Sequence, residues 1–102
     1  MRLLVFFDLP VETSVQRKEY RRFRRFLVKE GFLMLQESVY SKLVLNDASA
    51  NSEIARLKES GPKEGLVQAL KVTEKQYETM VCIVGKERAT AEIDTTEELL
   101  VL

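Results

Sequence analysis

Histidine and tryptophan are absent from the 102 residues, and cysteine occurs once, at Cys82. Without an imidazole no Ser-His-Asp relay can be built, and histidine is missing as a metal ligand or an acid–base group. A single cysteine excludes an intrachain disulfide and fits a reducing, cytoplasmic compartment. Two prolines and four glycines leave little material for linkers, and the chain carries no repeat or low-complexity tract. No apolar run approaches the ~20 residues of a membrane span. The apolar opening from Met1 to Phe7 is short for a secretory core and is broken by Asp8 and Pro10. Phosphate-binding glycine loops, dinucleotide fingerprints and zinc-ligand clusters are also missing. An excess of one charge is absent too: 16 basic residues balance 16 acidic ones.

That neutral total hides a division. Residues 17 to 29 hold seven basic side chains and one acid, Glu19, whereas residues 92 to 102 hold four acids and no base. Local field, not net charge, steers an anionic partner, so neutrality does not argue against nucleic acid. The length predicts one domain, 1–102, with a modest core.

Hydrophobic periodicity orders the elements. Arg2 to Phe7 reads as a buried strand closed by Asp8-Leu9-Pro10. Glu12 to Glu30 reads as a helix capped by Thr13 or Ser14 and stopped by Gly31. Val15, Tyr20, Phe23, Phe26 and Leu27 fall in its apolar arc, and Arg17, Lys18, Arg21, Arg22, Arg24, Arg25 and Lys29 in the opposite one. Phe32 to Leu45 reads as two strands joined at Gln36-Glu37. Residues 49 to 60 form a helix after an Asn46-Asp47 cap and before Gly61-Pro62. Leu66 to Val72 is a strand, Thr73 to Tyr77 a helical turn, and Met80 to Val84 a further buried strand with Cys82 as a small core residue. A polar tail follows and ends in Leu99-Leu-Val-Leu102.

The order β-α-β-β-α-β defines an α+β, ferredoxin-like domain with an antiparallel sheet and an extra C-terminal strand. Both helices then cover one sheet face. The strands on the other face are also apolar, and an uncovered apolar face predicts a homodimer.

The basic arc of the first helix is the leading candidate site. Five of its seven residues are arginines, whose forked donors match phosphate, and i±4 acids are few. Arg17, Lys18, Arg21, Arg22 and Arg25 are the candidate nucleic-acid contacts. Tyr20, Phe23, Phe26 and Phe32 lie on the apolar side, which makes them core rather than base-stacking residues.

The strand ending Phe6-Phe7-Asp8-Leu9-Pro10, the helical Arg17-Lys18-x-Tyr20-Arg21-x-Phe23, and Gly31-Phe32 followed by Gln36-x-Ser38-Val39-Tyr40 form an ordered set. With these the chain resembles the second of the two universal CRISPR adaptation proteins, the Cas2 family. Arg17 through Asn46 looks most like the subtype found beside single-protein DNA-cleaving effectors. The resemblance implies a ferredoxin-like homodimer that bridges two integrase dimers and holds prespacer duplex DNA, with further adaptation proteins as partners. It implies backbone contacts from Lys86 and Arg88, and a partner- or dimer-docking segment over 86–102. Members are also described as metal-dependent endoribonucleases, which makes Asp8 the candidate catalytic residue and ligand for Mg²⁺ or Mn²⁺.

Residue chemistry qualifies that last implication. Hard cations want several oxygen ligands, and one carboxylate per chain improves only if two-fold symmetry brings two copies of Asp8 together. Glu12 and Glu37 are the other acids near it in loops, and Asp8 also suits an Asx turn before Pro10. Three functions follow: a DNA-holding scaffold, a metal-dependent nuclease of RNA or duplex DNA, and a ferredoxin-like regulatory or toxin-like module.

Overall fold

The computed structural model describes residues 1–85. The elements are β1 (Arg2–Asp8), α1 (Ser14–Lys29), β2 (Leu33–Gln36), β3 (Val39–Leu43), α2 (Asp47–Ser60), β4 (Leu66–Val72) and the short α3 (Glu74–Glu78). The strands make one sheet in the order β2-β3-β1-β4, with every neighbouring pair antiparallel. The β1-α1-β2 and β3-α2-β4 crossovers each step over one strand, which is the ferredoxin-like α+β arrangement the element order predicts. Among the described residues no helix is long and apolar enough to cross a membrane.

Local chemistry sets the boundaries. Thr13 caps α1 by accepting from the Gln16 amide at 3.1 Å, and Gln16 Oε1 accepts in return from the Thr13 amide at 3.0 Å. The helix stops at Glu30, and Gly31 follows with φ 95°, a conformation that glycine adopts without strain. Asn46 caps α2 through the Ser49 amide at 2.8 Å. The β2–β3 hairpin turns at Glu37-Ser38, where Ser38 takes φ 67°, and a bulge between Met34 and Gln36 shifts the register.

Alternation along β1 separates two faces of the sheet. Leu3, Val5 and Phe7 point into the core, where they meet Phe23 and Leu27 of α1, Tyr40 of β3 and Ala50 and Leu57 of α2. Phe7 packs edge-on against Phe23 at 5.2 Å and against Tyr20 at 5.8 Å, a geometry that adds about 0.5–1.5 kcal/mol per pair to simple burial. The opposite face carries Arg2, Leu4, Phe6 and Asp8 of β1, flanked through the register by Val39, Ser41 and Leu43 on β3 and by Leu66, Gln68, Leu70 and Val72 on β4. Leu4 and Ser41 at its centre are buried, while Leu33, Leu43, Leu66 and Leu70 around them are exposed.

Three expectations need correction. Met80–Val84 is not a strand of this sheet: among the described residues no strand pairs with it, and Ile83 and Val84 are 84% and 88% exposed. Cys82 is therefore exposed rather than a core residue. Val15 is 76% exposed despite its place in the apolar arc. It sits in the first turn of α1, beyond the edge of the core that Phe23 and Leu27 fill. Lys86, Arg88 and the segment 86–102 lie outside the described residues.

Candidate nucleic-acid interface

The basic residues of α1 look equivalent on a helical wheel, but the fold gives them four different jobs. Arg17 Nη1 donates to the carbonyls of Val11 at 3.0 Å and Glu12 at 3.1 Å, so its charge is turned toward the β1–α1 loop. Arg22 grips both oxygens of Glu19, at 3.1 and 2.7 Å, and donates to the Ser60 carbonyl at the end of α2 at 2.9 Å. That bond holds the Glu19 carboxyl below its ordinary range and raises the Arg22 guanidinium further. Arg24 Nε donates to the buried Tyr40 hydroxyl at 3.2 Å, which likewise raises Arg24.

The fourth job belongs to Lys18, Arg21, Arg25 and Lys29. All four are exposed and form no ion pair or side-chain hydrogen bond among the described residues. At 100° per residue they fall within about 80° of one another, opposite the buried Phe23 and Leu27. They span roughly 16 Å of helix axis, at ~1.5 Å per residue. The result is a straight outer ridge of four cations. Three of the five residues expected on α1 as contacts, Lys18, Arg21 and Arg25, are on the ridge; Arg17 and Arg22 are not. Lys29 belongs with the ridge, and the 3-4-4 spacing of 18, 21, 25 and 29 is the sequence signal that marks it.

Asp8 lies elsewhere. Its strand position puts it on the sheet face away from the helices, opposite Leu66 of β4, and it is exposed. Three contacts brace the chain at and around it. The Phe7 amide donates to the Ser38 carbonyl at 3.1 Å. Gly65 packs under the Asp8 carbonyl, and Arg17 holds the loop that follows. A divalent cation needs several oxygen donors. Among the described residues no group of three or more acidic, histidine or cysteine side chains converges, and neither Glu12 nor Glu37 is brought to Asp8 to make one. The residues of one chain do not fit a Mg²⁺ site on their own.

A mostly apolar groove of about 330 Å³ opens at the start of α1, between Leu9, Pro10, Val15 and Tyr20 on one side and Pro62, Lys63 and Glu64 on the other.

The sheet order, the two crossover helices and the basic ridge define a small ferredoxin-like α+β domain with a cationic helix face. The family model described as CRISPR associated protein Cas2 matches residues 1–80. A Treponema denticola protein named CRISPR-associated endoribonuclease Cas2 is 50% identical over 102 residues, covering 100% of this chain and 100% of that protein. A protein of the same name from Streptococcus mutans serotype c is 48% identical over 102 residues, 100% of this chain and 93% of its own. One from Ligilactobacillus salivarius is 51% identical over 86 residues, 84% of this chain and 85% of its own. The chain belongs to the CRISPR associated protein Cas2 family.

Proposed function

We propose that the chain is the non-catalytic scaffold subunit of a CRISPR spacer-acquisition complex, a homodimer that holds prespacer duplex DNA for the integrase. The observation that carries this reading is the α1 ridge: four cations in line, none spent on a neighbour among the described residues, on a rigid helix. Such a surface binds phosphates without reading bases, and its affinity falls steeply with salt because each contact releases counterions. The apolar sheet face supports the dimer. Leu33, Leu43, Leu66 and Leu70 surround the buried Leu4, and a second copy is the simplest cover for such a patch.

A second reading, a Mg²⁺- or Mn²⁺-dependent endonuclease, is favoured by the name the relatives carry, endoribonuclease, and by the exposed Asp8. That aspartate shares the apolar sheet face, so two protomers packed there would have to supply the ligands that one chain lacks.

An in vitro spacer-integration assay with the cognate integrase separates the two. It is run without this protein, with wild type and with Asp8→Ala. The scaffold reading expects integration to need the protein but not Asp8. Loss of integration in a folded Asp8→Ala dimer would replace it with the nuclease reading, and integration that proceeds without the protein would remove both from spacer acquisition.

A further inference from the structure

The loop between Asp8 and α1 is held on both its donors and its acceptors. Arg17 Nη1 occupies the carbonyls of Val11 and Glu12, at 3.0 and 3.1 Å. Gln16 Oε1 accepts from the amides of Glu12 and Thr13, at 2.9 and 3.0 Å. Gln16 Nε2 reaches Glu64 at 3.4 Å, one residue before the Gly65 that supports Asp8. A helix cap alone needs only the Thr13–Gln16 exchange. The additional Arg17 bonds tie down two carbonyls ahead of the helix, which no ordinary cap requires.

We propose that Arg17 is a positioning residue: with Gln16 it latches residues 11–13, and so fixes the strand end that presents Asp8, instead of contacting phosphate. Arginine suits this post because one terminal nitrogen carries two hydrogens, enough for two neighbouring carbonyls. Its direction also differs from that of the ridge. On the helical wheel it stands about 40° from Arg21 at the ridge's edge, but its guanidinium points back along the chain to the Val11 and Glu12 carbonyls. The inference rests on the reading of the α1 ridge as the phosphate-binding surface, because only then does a cation withdrawn from the ridge stand out.

The test compares full-length Arg17→Ala, Arg17→Lys and Arg21→Ala proteins with wild type. Three quantities are read: amide hydrogen exchange over residues 11–13, the slope of log affinity against log salt for a 30-base-pair duplex, and the kcat and KM of any Asp8-dependent RNA cleavage. The latch expects Arg17→Ala to speed exchange at Glu12 and Thr13 by tenfold or more, and Arg17→Lys to restore part of the protection. It expects the salt slope to stay at the wild-type value, whereas Arg21→Ala lowers it by about 0.9. Where cleavage is measured, Arg17→Ala lowers kcat with KM unchanged, and Arg21→Ala raises KM.

A slope that falls in Arg17→Ala as it does in Arg21→Ala would make Arg17 a phosphate contact and overturn the proposal, as would unchanged exchange. If wild type binds no duplex, the ridge reading fails and the exchange data alone decide the latch. If wild type cleaves nothing, the nuclease reading fails, and exchange and slope still decide.

Discussion

Gly65 lies so close beneath the end of β1 that a methyl group on its α-carbon would stand 2.7 Å from the carbonyl oxygen of Asp8. The same methyl would meet the Leu9 α-carbon at 3.1 Å, and Gly65 adopts φ 94°, outside the range side chains prefer. Both obstacles are backbone, so neither yields by a rotamer change. Gly65→Ala is expected to cost on the order of 2–4 kcal/mol. Thermal unfolding of the full chain should fall by roughly 10 °C or more. An unchanged melting temperature would mean that the α2–β4 loop and the Asp8 strand end move apart freely.

Arg21 and Arg22 are sequence neighbours with opposite expected phenotypes. Arg21 stands on the free ridge. Arg21→Ala should weaken duplex binding and lower the salt slope by about 0.9 while leaving stability within ~0.5 kcal/mol of wild type. Arg22 is spent on Glu19 and on the Ser60 carbonyl, so it joins α1 to the end of α2. Arg22→Ala should cost about 1 kcal/mol of stability and leave the slope alone. Paired denaturant melts and salt titrations check both. Equal slopes in the two variants would show that the ridge is not where phosphates bind.

The contrast between Arg21 and Arg22 also marks what the sequence could and could not disclose. Period, caps and glycine stops were enough to place every element through β4 and α3, because these are local properties of the chain. The apolar arc of α1 located Phe23 and Leu27 correctly for the same reason. The use of each arginine was not legible. Whether Arg17 meets solvent or the Val11 carbonyl depends on how the preceding loop folds back, and Arg22 finds Ser60 only after α2 has packed beside α1. Met80–Val84 failed for a different reason. Its composition suits a strand, but a strand exists only where an edge receives it, and the partner is not encoded within the segment. The exposed apolar row was visible as a pattern, while Asp8 sharing that face follows from alternation and register together.

Ser38 is the one described residue other than glycine with positive φ, at 67°, and its carbonyl anchors the Phe7 amide. A side chain in this region costs about 1–2 kcal/mol relative to its preferred conformations. The compensating contact, Ser38 Oγ with the Tyr20 hydroxyl at 3.4 Å, is long and weak. Ser38→Gly should therefore be neutral or stabilising by up to about 1 kcal/mol. Ser38→Val, β-branched at positive φ, should cost about 2 kcal/mol. Equilibrium urea unfolding ranks the three proteins. A Ser38→Gly variant markedly less stable than wild type would show that the hydroxyl pair with Tyr20, not the turn geometry, governs this corner.

Glu53 links the helix layer to the sheet and should set the acid limit of the fold. Its side chain is 1% exposed, and Oε1 accepts from Lys42 of β3 at 2.7 Å and Arg56 at 2.9 Å, while Oε2 has no partner among the described residues. Burial pushes the carboxyl up, but the bonds from Arg56 and Lys42 outweigh it and hold the group below its ordinary value of 4.5. A carboxyl depressed by folding binds its proton more readily in the unfolded chain. Its contribution is therefore complete above pH 4.5 and is lost as pH falls through the lower folded-state value. Glu53→Gln keeps the shape and an acceptor oxygen but removes the charge, leaving Lys42 without its charged partner, at a cost of about 2–4 kcal/mol near neutrality. The gap between variant and wild type should be constant from pH 8 to about 5 and close progressively below that. Chemical denaturation at a series of pH values reads this directly. A gap that stays the same at pH 3 would mean that the Glu53 carboxylate contributes packing alone, and that the Lys42 and Arg56 bonds do not hold the helices to the sheet.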